Sequence, residues 1–151
     1  MIINTESIDQ YMITIDRNSG EIAYGKMKKL GVIGVNIEGG YLFDSSHNKV
    51  KYRNPKLMKQ VDQCKRSNML YSLYVETRAD SVQEALEELY EVQLLLATYP
   101  PDLGIWLVTH FTKKNKTKNN AILDVYYEYL VRFGMKYKMG LYVNPDQLKV
   151  I

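Results

Sequence analysis

Along the chain, short apolar runs bounded by turn residues alternate with stretches whose apolar positions recur at helical spacing. Tyr11–Asp16 reads as a strand stopped by Arg17-Asn18-Ser19-Gly20, and Ala23–Leu30 as a short helix stopped by Gly31. Val32–Glu38 is a second strand, closed by Gly39-Gly40-Tyr41, and 44–54 is a polar loop. Pro55 opens a helix to about Ser67 with Leu57, Met58, Val61 and Cys64 on one side, and Met69–Glu76 follows as the third strand. Ser81 and Glu84 have the spacing of a capping box, ahead of Val82, Ala85, Leu86, Leu89, Val92 and Leu96 at helical period, and Pro100-Pro101 end that helix. Gly104–Phe111 is a fourth, apolar strand. After the loop Thr112–Lys118, a helix from Asn119 or Asn120 to Phe133 stops at Gly134, and Lys138–Asn144 is the fifth strand. A last helical turn fits after Pro145. Repeated β-α order calls for parallel strands joined by crossovers, as an open sheet or as a barrel.

Composition narrows the function classes more than it selects one. With 151 residues, 46% hydrophobic and 25% charged, the chain suits one domain, 1–151, with a sizeable core. A net charge of +3, partly gathered in Lys113, Lys114, Lys116 and Lys118, gives no basis for nucleic-acid binding; that lysine run reads as a solvated loop. The single cysteine, Cys64, rules out a disulfide framework and reads as an inert buried thiol. Neither His47 nor His110 has ligand spacing around it, so no metal and no cofactor are called for. No glycine-rich nucleotide loop follows any strand. The N-terminal residues have no basic-then-apolar leader, and no apolar run approaches 18 residues, so the expectation is a soluble protein made in the cytoplasm, without membrane contact. Thirteen tyrosines suit a sugar-binding or protein-binding surface as well as a core margin.

Taken together, several segments resemble the family-25 glycoside hydrolases, the lysozyme-type muramidases of bacteria and phages. They are Ile13–Ile22, Leu30-Gly31-Val32 through Glu38-Gly39-Gly40-Tyr41, Asn54, the strand end at Tyr74, Gly104–Leu107, and Gly134 through Asn144. The resemblance implies a TIM-barrel-like (β/α) fold. Since a complete barrel takes about 200 residues or more, the expected architecture is α/β: an incomplete barrel of about five to six parallel strands with an unpaired edge. It also implies where the chemistry belongs. The family's first-strand aspartate falls on Thr14, its fourth-strand aspartate on Val108, and its glutamate acid on His110. Cleaving a glycosidic bond needs one carboxyl to protonate the leaving oxygen and a second to stabilise or attack the cation.

Three readings follow. In the first, the domain is a catalytically inactive relative that serves as a structural protein, docking its open edge on other protein subunits of a phage tail or tail-like particle, at the baseplate. In the second it is a peptidoglycan hydrolase with relocated acids, Asp16 and Glu76 with Glu38 in support; a peptidoglycan-binding module is the third. Tyr41, Tyr74 and His110 are the binding candidates at strand ends. Against each stands a plainer expectation: acids at strand ends are usually solvated or capped, a lone histidine is usually hydrogen-bonded, and Trp106, mid-run, is expected to fill core. Of Tyr126, Tyr127 and Tyr129, one is expected to face outward and two to pack.

Overall fold

A computed structural model describes residues 10–41, 52–111, 114–132 and 136–151. Among the described residues, five strands run parallel in the order β1 (Tyr11–Ile15), β2 (Val32–Tyr41), β4 (Leu70–Thr77), β5 (Ile105–Thr109), β6 (Met139–Tyr142). The sixth strand, β3 (Tyr52–Arg53), is antiparallel and hangs on the end of β2. The expected α/β sheet is present and is not closed into a barrel. The five parallel strands agree with the expected count, and the short extra strand is antiparallel.

That extra strand explains why β2 does not stop at Glu38. Its pairing with β4 shifts register between Glu38 and Gly40, and Gly40 takes φ +134°. A side chain at Gly40 would collide with the Tyr52 carbonyl, so only glycine lets β3 approach. The expected polar loop at 44–54 lies mostly outside the described residues, as do the irregular N-terminal residues, His47, Lys113 and the helix stop at Phe133-Gly134.

Among the described residues, four α-helices fill the connections: α1 (Tyr24–Lys29), α2 (Leu57–Arg66), α3 (Val82–Thr98) and α4 (Lys116–Tyr127). The Ser81 hydroxyl accepts from Glu84 N at 3.1 Å as its spacing predicts, while the Glu84 carboxylate takes the N–H of Asp80, one residue earlier than a strict capping box requires. Helix α4 starts at Lys116, three or four residues before its expected N-terminus, because Asn115 accepts from Lys118 N and caps it. Part of the lysine-rich run is therefore a first helical turn. At its other end the helix widens into a π turn, Glu128–Arg132. Ile122, Tyr126 and Leu130, four residues apart on one face, are fully buried, while Tyr127 and Tyr129 stand about half exposed. One of the three tyrosines packs, rather than two.

The core lies between the sheet and the helices. Ile15, Val35, Ile37, Tyr71, Leu73, Val75, Ile105 and Leu107 point to the helix side, against Val61, Cys64, Leu89, Val92 and Leu96. Cys64 is buried as expected, and burial pushes its thiol up. Among the described residues no helix is long and apolar enough to cross a membrane.

Candidate functional site

Because side chains alternate across a strand, burying one set on the helices commits the other set to the open face. That set is Thr14 and Asp16 from β1 and its end, Asn36 and Glu38 from β2, Ser72, Tyr74 and Glu76 from β4, Trp106, Val108 and His110 from β5 and its end, and Tyr142 from β6. Thr14, Asn36, Tyr74, Trp106, Val108 and Tyr142 line a groove of about 330 Å³ on this face. Trp106 is 37% exposed, so it does not fill core. Its ring lies across Gly140 on the next strand, where any side chain would overlap it. In the sequence, Trp106 and Val108 are hidden inside an unbroken apolar run. Alternation is invisible when both faces carry apolar residues.

The carboxylates gather at the C-terminal ends of the strands, around Tyr74. Burial first, and then the charges of Glu38 and Asp16, push the Tyr74 phenol up to about 12, so it stays protonated and able to donate. Each carboxylate already has cationic or backbone partners. Asp16 accepts from Asn18 N at 2.8 Å and from the Ser19 hydroxyl at 3.2 Å, closing its own turn. Glu38, nearly buried, accepts from Arg17 N at 2.9 Å and from the Arg17 guanidinium at 2.8 Å. That guanidinium also stacks 3.9 Å over the Tyr52 ring.

Glu76 Oε1 accepts from Arg78 Nε at 2.8 Å and lies 3.0 Å from His110 Nε2. The His110 side chain is half exposed on the groove's lip. Lower down, the Ser72 hydroxyl donates to Asn36 Oδ1 at 2.9 Å, which fixes the amide at the groove floor. Asn54 donates to the Glu38 carbonyl and to Gln60, tying the start of α2 to β2. Tyr41 pairs through its backbone register with Glu76 at the end of β2.

Of the residues singled out in the sequence, Asp16, Glu38, Tyr74, Glu76 and His110 come together, and Thr14 and Val108 lie in the same groove. Arg17, Arg78, Asn36 and Tyr142 were not foreseen. The only signal for the two arginines is position: each directly follows, or stands two places after, a strand-end acid. Among the described residues no cluster of three His, Cys, Asp or Glu is arranged to hold a metal ion.

No protein-family model matches the chain, and no curated protein matches it by sequence. Solved structures do match. The modular autolysin LytC from Streptococcus pneumoniae, solved in complex with a synthetic peptidoglycan ligand, superposes with TM-score 0.74 at 16% identity, over 92% of this chain and 33% of that one. GHIP, a glycosyl hydrolase 25 of Streptococcus pneumoniae participating in host cell invasion, gives 0.71 at 16% identity, over 94% of this chain and 62% of that one. The Clostridium perfringens spore cortex lytic enzyme SleM gives 0.72 at 14% identity, over 92% and 45%. The chain spans between a third and just under two-thirds of the length of these proteins. At such identities the likeness is one of fold: this α/β sheet has the fold of the lysozyme-type glycosyl hydrolases.

Proposed function

We propose that this chain is a peptidoglycan-directed module of the lysozyme type, acting as a single unit over residues 1–151, which grips a glycan strand in the groove on its open sheet face. The observation that carries this reading is the exposed Trp106 set among Thr14, Asn36, Tyr74 and Tyr142. Aromatic faces stack on sugar rings while hydroxyl and amide groups bond the sugar hydroxyls, and this groove offers both. The fold neighbour solved with a peptidoglycan ligand supports the same reading.

Binding without cleavage fits the polar groups better than hydrolysis does. Hydrolysis needs a carboxyl free to deliver a proton, whereas Asp16, Glu38 and Glu76 are each engaged by donors. A non-cutting, glycan-gripping module suits the setting of a phage tail or tail-like particle, with other subunits along the sheet edge. Hydrolysis is the second reading. Its favouring observation is the Glu76–His110 pair on the lip, where an imidazole, a proton-transfer group, lies 3.0 Å from a carboxylate.

Pull-down on insoluble peptidoglycan tests the first reading. The protein should be retained, Trp106→Ala should lose most of that retention, and the suspension should not clear. Clearing that disappears in Glu76→Gln and in Asp16→Asn would move the assignment to the hydrolase. Absence of retention in the unmodified protein would sink the glycan reading altogether.

A further inference from the structure

Behind the lip, on the helix side of the sheet, lies a carboxylate that the groove does not use. Glu88 of α3 is 0% exposed. It accepts from the Thr77 hydroxyl at 2.6 Å, from Arg78 N at 3.0 Å and from the Tyr126 hydroxyl of α4. A leucine would fill such a core position without the cost of burying a carboxyl. What leucine lacks is direction, and all of Glu88's bonds but one converge on a single turn.

That turn is bonded residue by residue. Arg78 N goes to Glu88, Ala79 N to the Thr77 hydroxyl at 3.3 Å, and Asp80 N to Glu84 at 2.6 Å. Three successive N–H groups at the C-terminal end of β4 are thereby held by side chains rather than by another strand. The charged groups around Glu88 come from each packed element: Arg78 at the end of β4, Glu84 on α3 itself, with the Tyr126 phenol on α4. On the other face of the same turn, Arg78 Nε donates to Glu76, and the same carboxylate oxygen lies 3.0 Å from His110 Nε2.

Resting on the glycan reading of the groove, we infer that Glu88 is a positioning residue for its lip: by fixing Thr77 and the backbone of Arg78 from behind, it sets Arg78 and Glu76 in front, and through them His110. It touches no ligand. Its action is transmitted through one turn, where strand alternation places Glu76 forward and Thr77 back.

The test is hydrogen exchange at the Arg78 Nε–H, followed by NMR in the full-length protein. In the unmodified protein this proton should be slowed in exchange, because Glu76 accepts it at 2.8 Å. In Glu88→Gln it should exchange about tenfold faster or more, as a local opening, while the amides of Leu73 and Leu107 in the core keep their protection. Thr77→Val, similar in shape but without the hydroxyl, should produce the same loss in smaller degree. An unchanged Arg78 Nε–H in folded Glu88→Gln overturns the proposal. Should Glu88→Gln fail to fold, Thr77→Val decides: faster Arg78 exchange supports the role, and unchanged exchange overturns it. Retention of the unmodified protein on peptidoglycan is read separately, so failure of the glycan reading is distinguishable from failure of the positioning role.

Discussion

The two faces of β5 differ more than the sequence of β5 suggests. Ile105 and Leu107 are each 1% exposed against the helices, whereas Trp106 and Val108, equally apolar, line a groove that is open to solvent. The same contrast repeats on β1, β2 and β4, where Ile15, Ile37 and Leu73 are buried behind while Thr14, Asn36 and Tyr74 stand in front. Stability is built on the rear face, and the front face is left to present chemistry. On the function proposed above, large side chains on the front mark a ligand surface rather than a second core.

The sharpest way to break this contrast is to truncate a side chain on the rear face of β5 and make one on the front polar. Leu107→Ala should cost about 2–5 kcal/mol, the usual range for emptying a packed leucine site. Val108→Thr, one residue away, should cost about 1 kcal/mol or less, since its hydroxyl can meet water in the groove. Urea unfolding at constant m-value measures both. Comparable losses would mean that the front face is packed as tightly as the rear.

Gly140 sharpens the comparison next. A side chain there overlaps the Trp106 ring, so Gly140→Val must displace the ring or the strand, at about 1–3 kcal/mol for overpacking. Trp106 is the single tryptophan, so its fluorescence reports the displacement directly. The expected result is a red-shifted emission with loss of peptidoglycan retention. An unshifted spectrum would show that the ring does not rest where the groove requires it.

Glu88 makes the rear face pH-sensitive. Burial raises its carboxyl above the ordinary value of 4.5, partly offset by its hydrogen bonds to Thr77, Tyr126 and Arg78 N. The folded state therefore binds this proton more tightly than the unfolded chain. The resulting stabilisation is fully present below about 4.5 and is lost as pH rises through the raised folded midpoint. Relative to Glu88→Gln, which does not titrate, the unmodified protein should therefore gain stability as the pH is lowered from neutral towards 4.5. Denaturant midpoints of the two proteins across that range decide it, and a constant difference would contradict a raised carboxyl.

How far the sequence could be read follows the same division. The rear face was legible because it has a mechanism visible in one dimension: apolar strands, helical periods, and caps such as Ser81. The strand ends were legible too, so β-α order alone sets Asp16, Glu38, Tyr74, Glu76 and His110 near one another. The front face was not. Trp106 looked like core because Gly104–Val108 has no polar residue to mark the alternation. Among Tyr126, Tyr127 and Tyr129, nothing in the residues themselves announces which one shares the buried face of Ile122 and Leu130. Glu88 was hidden as well, since on a helix rich in glutamate nothing distinguishes the buried one until α4 and β4 are packed around it. The partners Arg17 and Arg78 were missed because ion pairs depend on side-chain direction, and strand order alone does not give that.

The smallest expected effect is the most discriminating for the front face. Tyr142 is 64% exposed on the last strand, where it forms one wall of the groove. Replacing it with serine removes little buried area, so stability should stay within about 0.5 kcal/mol of the original, as for surface substitutions in general. If the groove grips sugar rings, retention on peptidoglycan should nevertheless fall several-fold, because an exposed aromatic face contributes to a ligand what it does not contribute to the fold. Stability lost without any change in retention would assign Tyr142 to packing, and would leave the stacking on that side of the groove to Trp106.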